Sequence, residues 1–218
     1  MKIRRNTILR DTILDGFVAQ NLPDRKIDEP WHVSDLIYCL RKSFWGRTDP
    51  LPPTPRQAML FMTGKGLANE LTGGEPEEEY TLDGIVGHPD YVKLYPPWEV
   101  KTTRKKVDDN PQSILEMKTW MEQIMCYMRM LKVTQFTLVE MGLMGDYKPP
   151  FPSLEVWELE ETWDVIEANW QEMLRRRDVL EDAMKGLGLP PMSTLLDKKG
   201  GRWECRECAY LLRCSWIL

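Results

Sequence analysis

Hydrophobic residues recur every three to four positions in several segments of the chain. This spacing is typical of helices with one buried face. It predicts helices over residues 6–20, 33–44, 56–71, 110–131 and 161–184. Ser34 is the predicted N-cap of the second helix because its hydroxyl suits a helix start. The proline-rich residues 49–55 cannot lie inside a helix and are predicted to form a loop.

Strand-like segments lie between these helices. Aromatic and β-branched residues predict strands over residues 80–92, 98–103, 135–143 and 154–159, with a turn near residues 95–97. The first two strands are expected to pair as a hairpin. The order of helices and strands predicts an α/β protein whose mixed sheet is flanked by helices.

Composition narrows the class of protein. A chain of 218 residues that is 42% hydrophobic, with nine Trp and thirteen Met, can bury one substantial core. The net charge of −5 excludes the overall basic surface of many nucleic-acid binders, so any DNA contact needs a local basic surface. No apolar run approaches the roughly 20 residues of a membrane span, and no signal-peptide pattern opens the chain. We therefore expect a cytoplasmic protein without a membrane partner.

Four of the five cysteines form an unequal set, with Cys39 near the start and Cys205, Cys208 and Cys214 close together at the end. Metal ligation fits an odd number of cysteines without a secretory signal better than disulfides do. Four thiolates can hold an iron–sulfur cluster or a tetrahedral zinc ion, and such a centre would tie the chain ends together. A set of unrelated thiols is the alternative. Cys126 lies among methionines in a predicted helix and is expected in the core.

Candidate catalytic chemistry lies around the predicted hairpin. Asp90 falls at the end of the first strand, and Glu99 and Lys101 follow in the second. Side chains at positions i and i+2 of a strand share a face, so Glu99 and Lys101 are expected to project together, within reach of Asp90. Two carboxylates can bind Mg²⁺ or Mn²⁺, and a lysine can stabilise the negative charge that develops on a phosphate during cleavage. An exposed strand with alternating charges is the alternative interpretation.

The helix after this hairpin carries Gln123 and Tyr127, which are one turn apart on one face. Because the rest of the helix is largely apolar, both side chains can point toward the carboxylates. The alternative is an ordinary helix edge on which the Tyr127 ring packs.

The ordered combination of these motifs resembles the RecB-like PD-(D/E)xK nucleases. The matching positions run from about residue 31 to residue 216, and the cysteine layout is similar to the branch with an iron–sulfur cluster. That branch includes the AddB nuclease domain and the CRISPR-associated Cas-four exonucleases. The chain resembles the Cas-four exonucleases most, because it is similarly small. The motifs are these: Val33-Ser34-Asp35-Leu36-Ile37-Tyr38-Cys39, Gly87-x-x-Asp90, Glu99-x-Lys101, Gln123-x-x-x-Tyr127 and the Cys205, Cys208 and Cys214 triplet.

The resemblance implies a restriction-endonuclease-like sheet, with a helical lobe and a C-terminal tail closed by a [4Fe–4S] cluster on the four cysteines. Residues 1–30 would be a helical extension, and residues 31–218 a single nuclease domain. The implied activity is metal-dependent exonuclease cleavage of single-stranded DNA or of 3′ or 5′ overhangs. Spacer acquisition with a CRISPR integrase complex, or recombination, is the implied context.

The resemblance also implies residue roles. Asp90, Glu99 and the Val100 carbonyl would hold Mg²⁺ or Mn²⁺, while Lys101, Gln123 and Tyr127 would be catalytic. The family commonly has a metal-binding histidine where this chain has Asn69. An amide oxygen can ligate a hard cation more weakly, so Asn69 puts the strength of metal binding in doubt.

Other polar residues near these motifs have more than one interpretation. His32 and His88 are poor substitutes for the missing histidine by position, although His88 in a strand would share the face of Asp90. Four basic residues could contact phosphates or simply keep the surface soluble: Lys65, Arg104, Lys105 and Lys106. Two other functions remain as alternatives at this point, a catalytically weak DNA-end-binding subunit and a zinc-organised protein-interaction module.

Overall fold

The structure is a computed structural model that describes residues 6–22, 26–103, 107, 110–143, 152–193, 203–206 and 208–215. The helices are α1 (Thr7–Gln20), α2 (Val33–Ile37), α3 (Leu40–Thr48), α4 (Pro55–Leu71), α5 (Pro111–Leu115), α6 (Lys118–Leu131), α7 (Trp163–Met184) and α8 (Leu211–Ser215). The strands are β1 (Trp31–His32), β2 (Tyr80–Leu82), β3 (Ile85–Gly87), β4 (Trp98–Thr103), β5 (Gln135–Gly142) and β6 (Ser153–Glu160). A short 3-10 turn spans Trp203–Cys205.

In the described residues the strands form two small sheets, where the sequence predicted one. In the first sheet β3 lies between β1, which is parallel to it, and β2, which is antiparallel. In the second sheet β5 lies between β4, parallel, and β6, antiparallel. Each sheet is mixed, so the fold class is a mixed α/β protein. The prediction of a single sheet was wrong because β3 ends at Gly87 and the chain leaves the strand before β4 begins.

The predicted strand over residues 80–92 is a short hairpin instead. Asp83 and Gly84 turn the chain between β2 and β3, both with positive φ angles, of 49° and 75°. This is the left-handed backbone that Asp-Gly turns adopt in tight hairpins. The side chain of Asp83 also accepts a hydrogen bond of 2.9 Å from the Trp170 indole, which anchors the turn to α7.

The predicted helix over residues 33–44 is broken in two. Tyr38 leaves the helical conformation at the end of α2, and Cys39 is the N-cap of α3. The N-cap of α2 is His32 rather than Ser34, and the Asp35 side chain accepts from the His32 backbone amide at 3.1 Å. The break turns Tyr38 and Cys39 out of the helical row, which the regular spacing of hydrophobic residues could not reveal.

The predicted helix over residues 110–131 is also interrupted, between α5 and α6. Helix α6 packs against α2 and α7 and contacts β2, β3 and β5, so it lies against both sheets. The core gathers around it, with these large, fully buried side chains: Leu36, Ile124, Met128, Phe136, Leu138, Ile166 and Trp170. Gln123 of α6 therefore reaches Lys101 in β4, and Tyr127 lies next to Gly87 at the end of β3.

Six elements agree with the sequence within one or two residues: α1, α4, α7 and strands β4 to β6. The short strand β1 and helix α8 were not predicted. Helix α1 packs on α4 and has no buried residue of its own. None of the helices in the described part of the chain is both long and apolar enough to cross a membrane. The division into an extension over residues 1–30 and one nuclease domain stays a prediction.

Candidate active site

Four of the predicted site residues form one chain of hydrogen bonds between β4 and α6. The Lys101 ammonium lies 2.6 Å from the Glu99 carboxylate and donates to the Gln123 side-chain oxygen at 2.7 Å. The Gln123 amide in turn donates to the Tyr127 hydroxyl at 2.8 Å. The period of two puts Glu99 and Lys101 on one face of β4, and the one-turn spacing puts Gln123 and Tyr127 on one face of α6.

Asp90 joins the group from outside any strand. Its carboxylate accepts a hydrogen bond of 2.6 Å from the Val100 backbone amide, at the edge of β4 that β5 leaves open. The expected hairpin between the Asp90 segment and β4 was wrong. Instead, the two segments form one antiparallel bridge, between Tyr91 and Trp98, whose rings lie 5.1 Å apart. This bridge and the hydrogen bond from the Val100 amide connect Asp90 to β4, next to Glu99 in sequence.

Gly87 allows α6 to approach this closely. A Cβ atom built on Gly87 would lie 2.6 Å from the Met130 sulfur and 2.9 Å from Cε1 of Tyr127. Both distances are shorter than carbon and sulfur atoms tolerate, so a side chain here would push Tyr127 away from Gln123. A steric requirement therefore explains why residue 87, three positions before Asp90, is a glycine: a side chain there would overlap Met130 and Tyr127.

The two carboxylates lie in a poorly solvated environment. Glu99 is only 2% exposed, and burial raises its pKa to about 8, with a further increase from Asp90 that Lys101 opposes. Burial also raises the pKa of Asp90, while the Val100 amide and Lys101 lower it. One oxygen of Glu99, Oε2, is buried and has no hydrogen-bond partner among the described residues. A buried oxygen of this kind needs a donor or a cation.

The same buried surroundings also shift the pKa values of Lys101 and Tyr127. Burial favours the neutral amine of Lys101, but Glu99 outweighs burial, so the pKa of Lys101 is raised. Tyr38 contributes to the same increase. Burial and the charge of Glu99 hold the pKa of Tyr127 well above its ordinary value. At neutral pH the site therefore presents a cationic lysine and a protonated phenol.

This donor set fits a hard divalent cation. Asp90 and Glu99 supply oxygen ligands, and a cation between them would satisfy Oε2 of Glu99 and offset their repulsion. Within the described residues no three His, Cys, Asp or Glu side chains form a complete metal-binding group. Any further ligands must then come from the backbone, an amide side chain or water, as Mg²⁺ commonly allows.

The other predicted metal ligands have different positions. Asn69 is exposed near the end of α4, where its backbone carbonyl accepts from the Gly74 amide at 2.7 Å. The Val100 amide binds Asp90, as described above. For Asn69 and the Val100 carbonyl, metal ligation stays a prediction.

The two histidines pair with each other. Their rings stack with centroids 5.3 Å apart, and Nε2 of His88 lies 3.8 Å from the Glu79 carboxylate. The expectation that His88 would share a strand face with Asp90 was wrong, since both residues follow the end of β3. Of the predicted phosphate contacts, Lys65 is exposed on α4, whereas Arg104, Lys105 and Lys106 lie outside the described residues.

The four predicted cluster ligands come together although they are far apart in sequence. Cys39, Cys205, Cys208 and Cys214 line one small pocket beside α3. Burial raises the pKa of Cys208, the nearby thiols of Cys39 and Cys214 raise it further, and Lys42 lowers it. Four thiols in a shared pocket are the donor set of an iron–sulfur cluster or a zinc ion. The four thiols therefore have the chemistry that such a centre needs, although no three of them are placed as a metal-binding group in the described residues.

Glu204 fastens the two halves of this cysteine pocket. Its carboxylate accepts from the Cys39 backbone amide at 2.9 Å and from the Ser193 hydroxyl. Tyr210 adds a second link, since its hydroxyl accepts from the Leu51 amide at 3.1 Å. These contacts close the C-terminal segment onto α3 independently of any metal.

Cys126 is separate from this pocket. It is fully buried in the core beside Asn169, whose amide lies 3.4 Å from the sulfur, and burial raises its pKa to about 12. The expected core position of this thiol is confirmed.

Sequence reasoning missed two residues of these sites. Tyr38 contributes to the raised pKa of Lys101, and Glu204 joins the cysteine segments. Each directly precedes a predicted cluster ligand, Cys39 or Cys205. This position in the sequence was the one feature that could have indicated their roles.

Comparisons with known proteins bear on the fold. No family model matches the chain, and no curated protein matches it. The crystal structure of SSO0001 superposes with a TM-score of 0.60 and 18% identity, over 96% of this chain and 97% of that one. The two proteins therefore share a fold.

Two exonuclease structures are similar at a lower level. The alkaline exonuclease LHK-Exo from Laribacter hongkongensis has a TM-score of 0.44 and 14% identity, over 79% of this chain and 95% of that one. A phage-related exonuclease from Haemophilus somnus 129PT has a TM-score of 0.41 and 12% identity, over 60% and 71%. At these scores neither structure carries an argument about this chain.

Proposed function

We propose that this protein is a metal-dependent DNA nuclease of the PD-(D/E)xK type with a restriction-endonuclease-like core. The observation that carries the proposal is the buried group of Asp90, Glu99 and Lys101, in which Oε2 of Glu99 lacks a hydrogen-bond partner among the described residues. A solvated strand face, the alternative for these residues, would not bury a carboxylate to 2% exposure.

In this proposal Asp90 and Glu99 hold Mg²⁺ or Mn²⁺, with the Val100 carbonyl and Asn69 as further ligands. When bound, the ion supplies Lewis-acid chemistry and lowers the pKa of a bound water. Lys101 places a positive charge where negative charge develops on the phosphate. Gln123 holds the Lys101 ammonium through its oxygen and is itself held by Tyr127. The two α6 residues therefore orient the lysine.

We further propose a [4Fe–4S] cluster on Cys39, Cys205, Cys208 and Cys214. Their shared pocket and the Glu204 contact to Cys39 support this assignment. The centre would fix the C-terminal segment on α3 and stabilise the fold by closing a long loop.

The substrate in this proposal is single-stranded DNA or a 3′ or 5′ overhang, attacked as an exonuclease. The protein would work in the cytoplasm, during CRISPR spacer acquisition with the integrase complex or during recombination. With a net charge of −5, DNA contacts must come from local basic residues such as Lys65.

A nuclease assay on the anaerobically purified protein tests the proposal. End-labelled single strands and duplexes with overhangs are incubated with Mg²⁺, with Mn²⁺ and with a chelator. Cleavage that requires the divalent cation supports the proposal. Tight binding of DNA ends without cleavage in any metal would favour a DNA-end-binding subunit, and stoichiometric zinc without DNA binding would favour an interaction module.

A further inference from the structure

Strand β6 forms an open edge of the second sheet. It pairs with β5 along its whole length, from Ser153 opposite Gly142 to Glu160 opposite Gln135, in one unbroken register. No strand among the described residues pairs with its other side. The backbone N–H and C=O groups of alternate residues on that side therefore face no neighbouring strand in the described part of the chain. An open edge of eight residues can accept a further strand.

The sequence of β6 lacks most of the features that protect open edges from other chains. Natural edge strands are commonly short, interrupted by a bulge, or marked by proline or lysine. Strand β6 is instead as long as β5, pairs with it without a bulge, and contains neither proline nor lysine. The protection that remains comes from three glutamates: Glu155, Glu158 and Glu160.

An apolar row on the face of the sheet opposite to Lys101 continues out to this edge. Val100, Val139 and Val156 lie side by side on the three strands. The first two are 8% and 6% exposed, whereas Val156 is 56% exposed and Leu154 on the same face is 48% exposed. The layer that covers β4 and β5 therefore stops before β6. Side chains of an added strand would lie next to Val156 and bury it.

The charge of the edge decides which strand it can accept. Glu158 and Glu160 are exposed, Glu155 is half-buried, and none of the three forms an ion pair among the described residues. Pairing of β6 with β6 of a second copy would gather the carboxylates of both strands at one seam, where like charges repel. A strand that carries lysine or arginine opposite these carboxylates would be attracted instead.

We infer that β6 is the docking edge for an extended basic segment of a partner protein, which adds an antiparallel strand to the sheet. In this mode of recognition backbone hydrogen bonds supply affinity and side chains supply specificity. The segment carries basic residues opposite the three glutamates and β-branched residues opposite Leu154, Val156 and Trp157. The inference goes beyond the proposed function and does not depend on it, because β6 contributes no residue to the candidate active site.

Binding of designed peptides to the full, anaerobically purified chain tests this edge. The probe is the fluorescent, end-capped peptide Lys-Val-Lys-Val-Val-Lys-Val-Thr. When it pairs antiparallel along β6, its lysines lie opposite Glu160, Glu158 and Glu155, and its valines lie opposite the apolar residues. Fluorescence anisotropy reports the affinity.

Two comparison peptides separate charge from strand pairing. In the first, glutamate replaces each lysine, so the shape is kept and the charge is reversed. In the second, proline replaces the two central valines, so the charge is kept. Because alternate residues face the neighbouring strand, one of two adjacent prolines removes an N–H group that would bond to β6.

A charge reversal in the protein provides the matching test. Glu158→Lys combined with Glu160→Lys changes the exposed glutamates of the edge. Asp15→Lys combined with Glu70→Lys, at exposed positions of α1 and α4, is the control with the same change in net charge. This control separates the edge from the general attraction of a basic peptide to a chain of net charge −5.

We expect the lysine peptide to bind wild type and the control at least about tenfold more tightly than either comparison peptide does. Several opposite-charge cross-strand pairs, or the backbone hydrogen bonds, amount to such a factor. The protein with Glu158→Lys and Glu160→Lys should lose affinity for the lysine peptide by a similar factor. Equal binding of the proline peptide, equal binding by this edge variant, or no binding by wild type would overturn the inference.

Sedimentation velocity of the protein without peptide tests the alternative occupant, a second copy. We expect no dimer that depends on β6. A wild-type dimer that dissociates in Val156→Lys, at an exposed position of the edge, would assign β6 to a second copy and overturn the inference. The cleavage assay reports on the candidate active site alone, so failure of either proposal leaves the other standing.

Discussion

Lys101 donates a hydrogen bond of 2.7 Å to Gln123, which links strand β4 to helix α6 at the centre of the candidate site. This contact sets the orientation of the Gln123 amide, since its oxygen must face the ammonium and its nitrogen then faces Tyr127. The ammonium is held from two sides, by Glu99 and by Gln123. In the proposed nuclease, a lysine fixed in this way would be in place for a phosphate before substrate arrives.

Lys101→Met should abolish most cleavage and leave a folded protein. The change removes the charge that faces the phosphate, for which we expect a loss of about 10²- to 10³-fold in rate. The fold tolerates the change because Glu99, with a pKa of about 8, can take up a proton when its partner is lost. Steady-state cleavage kinetics and thermal unfolding check both statements. Lys118→Met, at an exposed lysine of α6, is the control, and equal rates in the two variants would contradict the role of Lys101.

Gly87→Ala should displace Tyr127 and reduce both stability and cleavage. The added Cβ would overlap the Met130 sulfur and the Tyr127 ring, and such overpacking typically costs about 1–3 kcal/mol of the free energy of unfolding. Chemical denaturation and cleavage rates provide the measurements. Gly64→Ala is the matched control, because its Cβ meets the Thr102 hydroxyl at an ordinary 3.6 Å. A Gly87→Ala protein as stable and active as this control would show that the close approach is unimportant.

Cys205→Ser should remove the iron and the visible colour of anaerobically purified protein and lower its melting temperature. The reason is that metal binding at a site made from both ends of the chain is coupled to folding. Iron and zinc analysis together with absorption spectra measure the effect. Stoichiometric zinc and no iron in the wild-type protein would contradict a cluster.

Cys126→Ser is the control for that experiment and should keep the colour. A pKa of about 12 and complete burial also keep the Cys126 thiol protonated and unreactive at neutral pH. An alkylating reagent should therefore leave Cys126 unmodified in the folded protein, which mass spectrometry of the peptides can verify.

Asn69→His should raise the affinity for Mn²⁺ if residue 69 reaches the metal. An imidazole suits Mn²⁺ better than an amide oxygen does, so the cleavage rate at limiting Mn²⁺ should rise with it. Calorimetric titration of the two folded proteins measures the affinities. Equal affinities would mean that Asn69 is no ligand and that Asp90 and Glu99 hold the ion without it.

Local spacing made much of the candidate site predictable from sequence. Glu99 and Lys101 share a strand face, and Gln123 and Tyr127 share a helix face, so each pair follows from the repeat of its own element. The distance between the pairs does not follow from either repeat. It depends on Gly87, whose missing side chain lets α6 approach β3.

Other features depend on contacts that no local pattern records. The division into two sheets follows from where the chain leaves β3, and the break after α2 makes Cys39 the N-cap of α3. Glu204 reaches the Cys39 amide across 165 positions of sequence. Contacts this distant in sequence require the folded chain to be seen.

The cleavage rate of Glu99→Gln, compared with wild type in Mg²⁺ and in Mn²⁺, tests the central claim most directly. Glutamine keeps the size of the side chain but removes the charge that would hold the cation. Glu158→Gln, at an exposed position of β6, is the matched control. We predict that wild type and Glu158→Gln cleave a single-stranded oligonucleotide only with the divalent cation, and that Glu99→Gln is at least about 10²-fold slower while equally well folded. A Glu99→Gln protein that cleaves at the wild-type rate, with contaminating nuclease excluded, would contradict the assignment of this site.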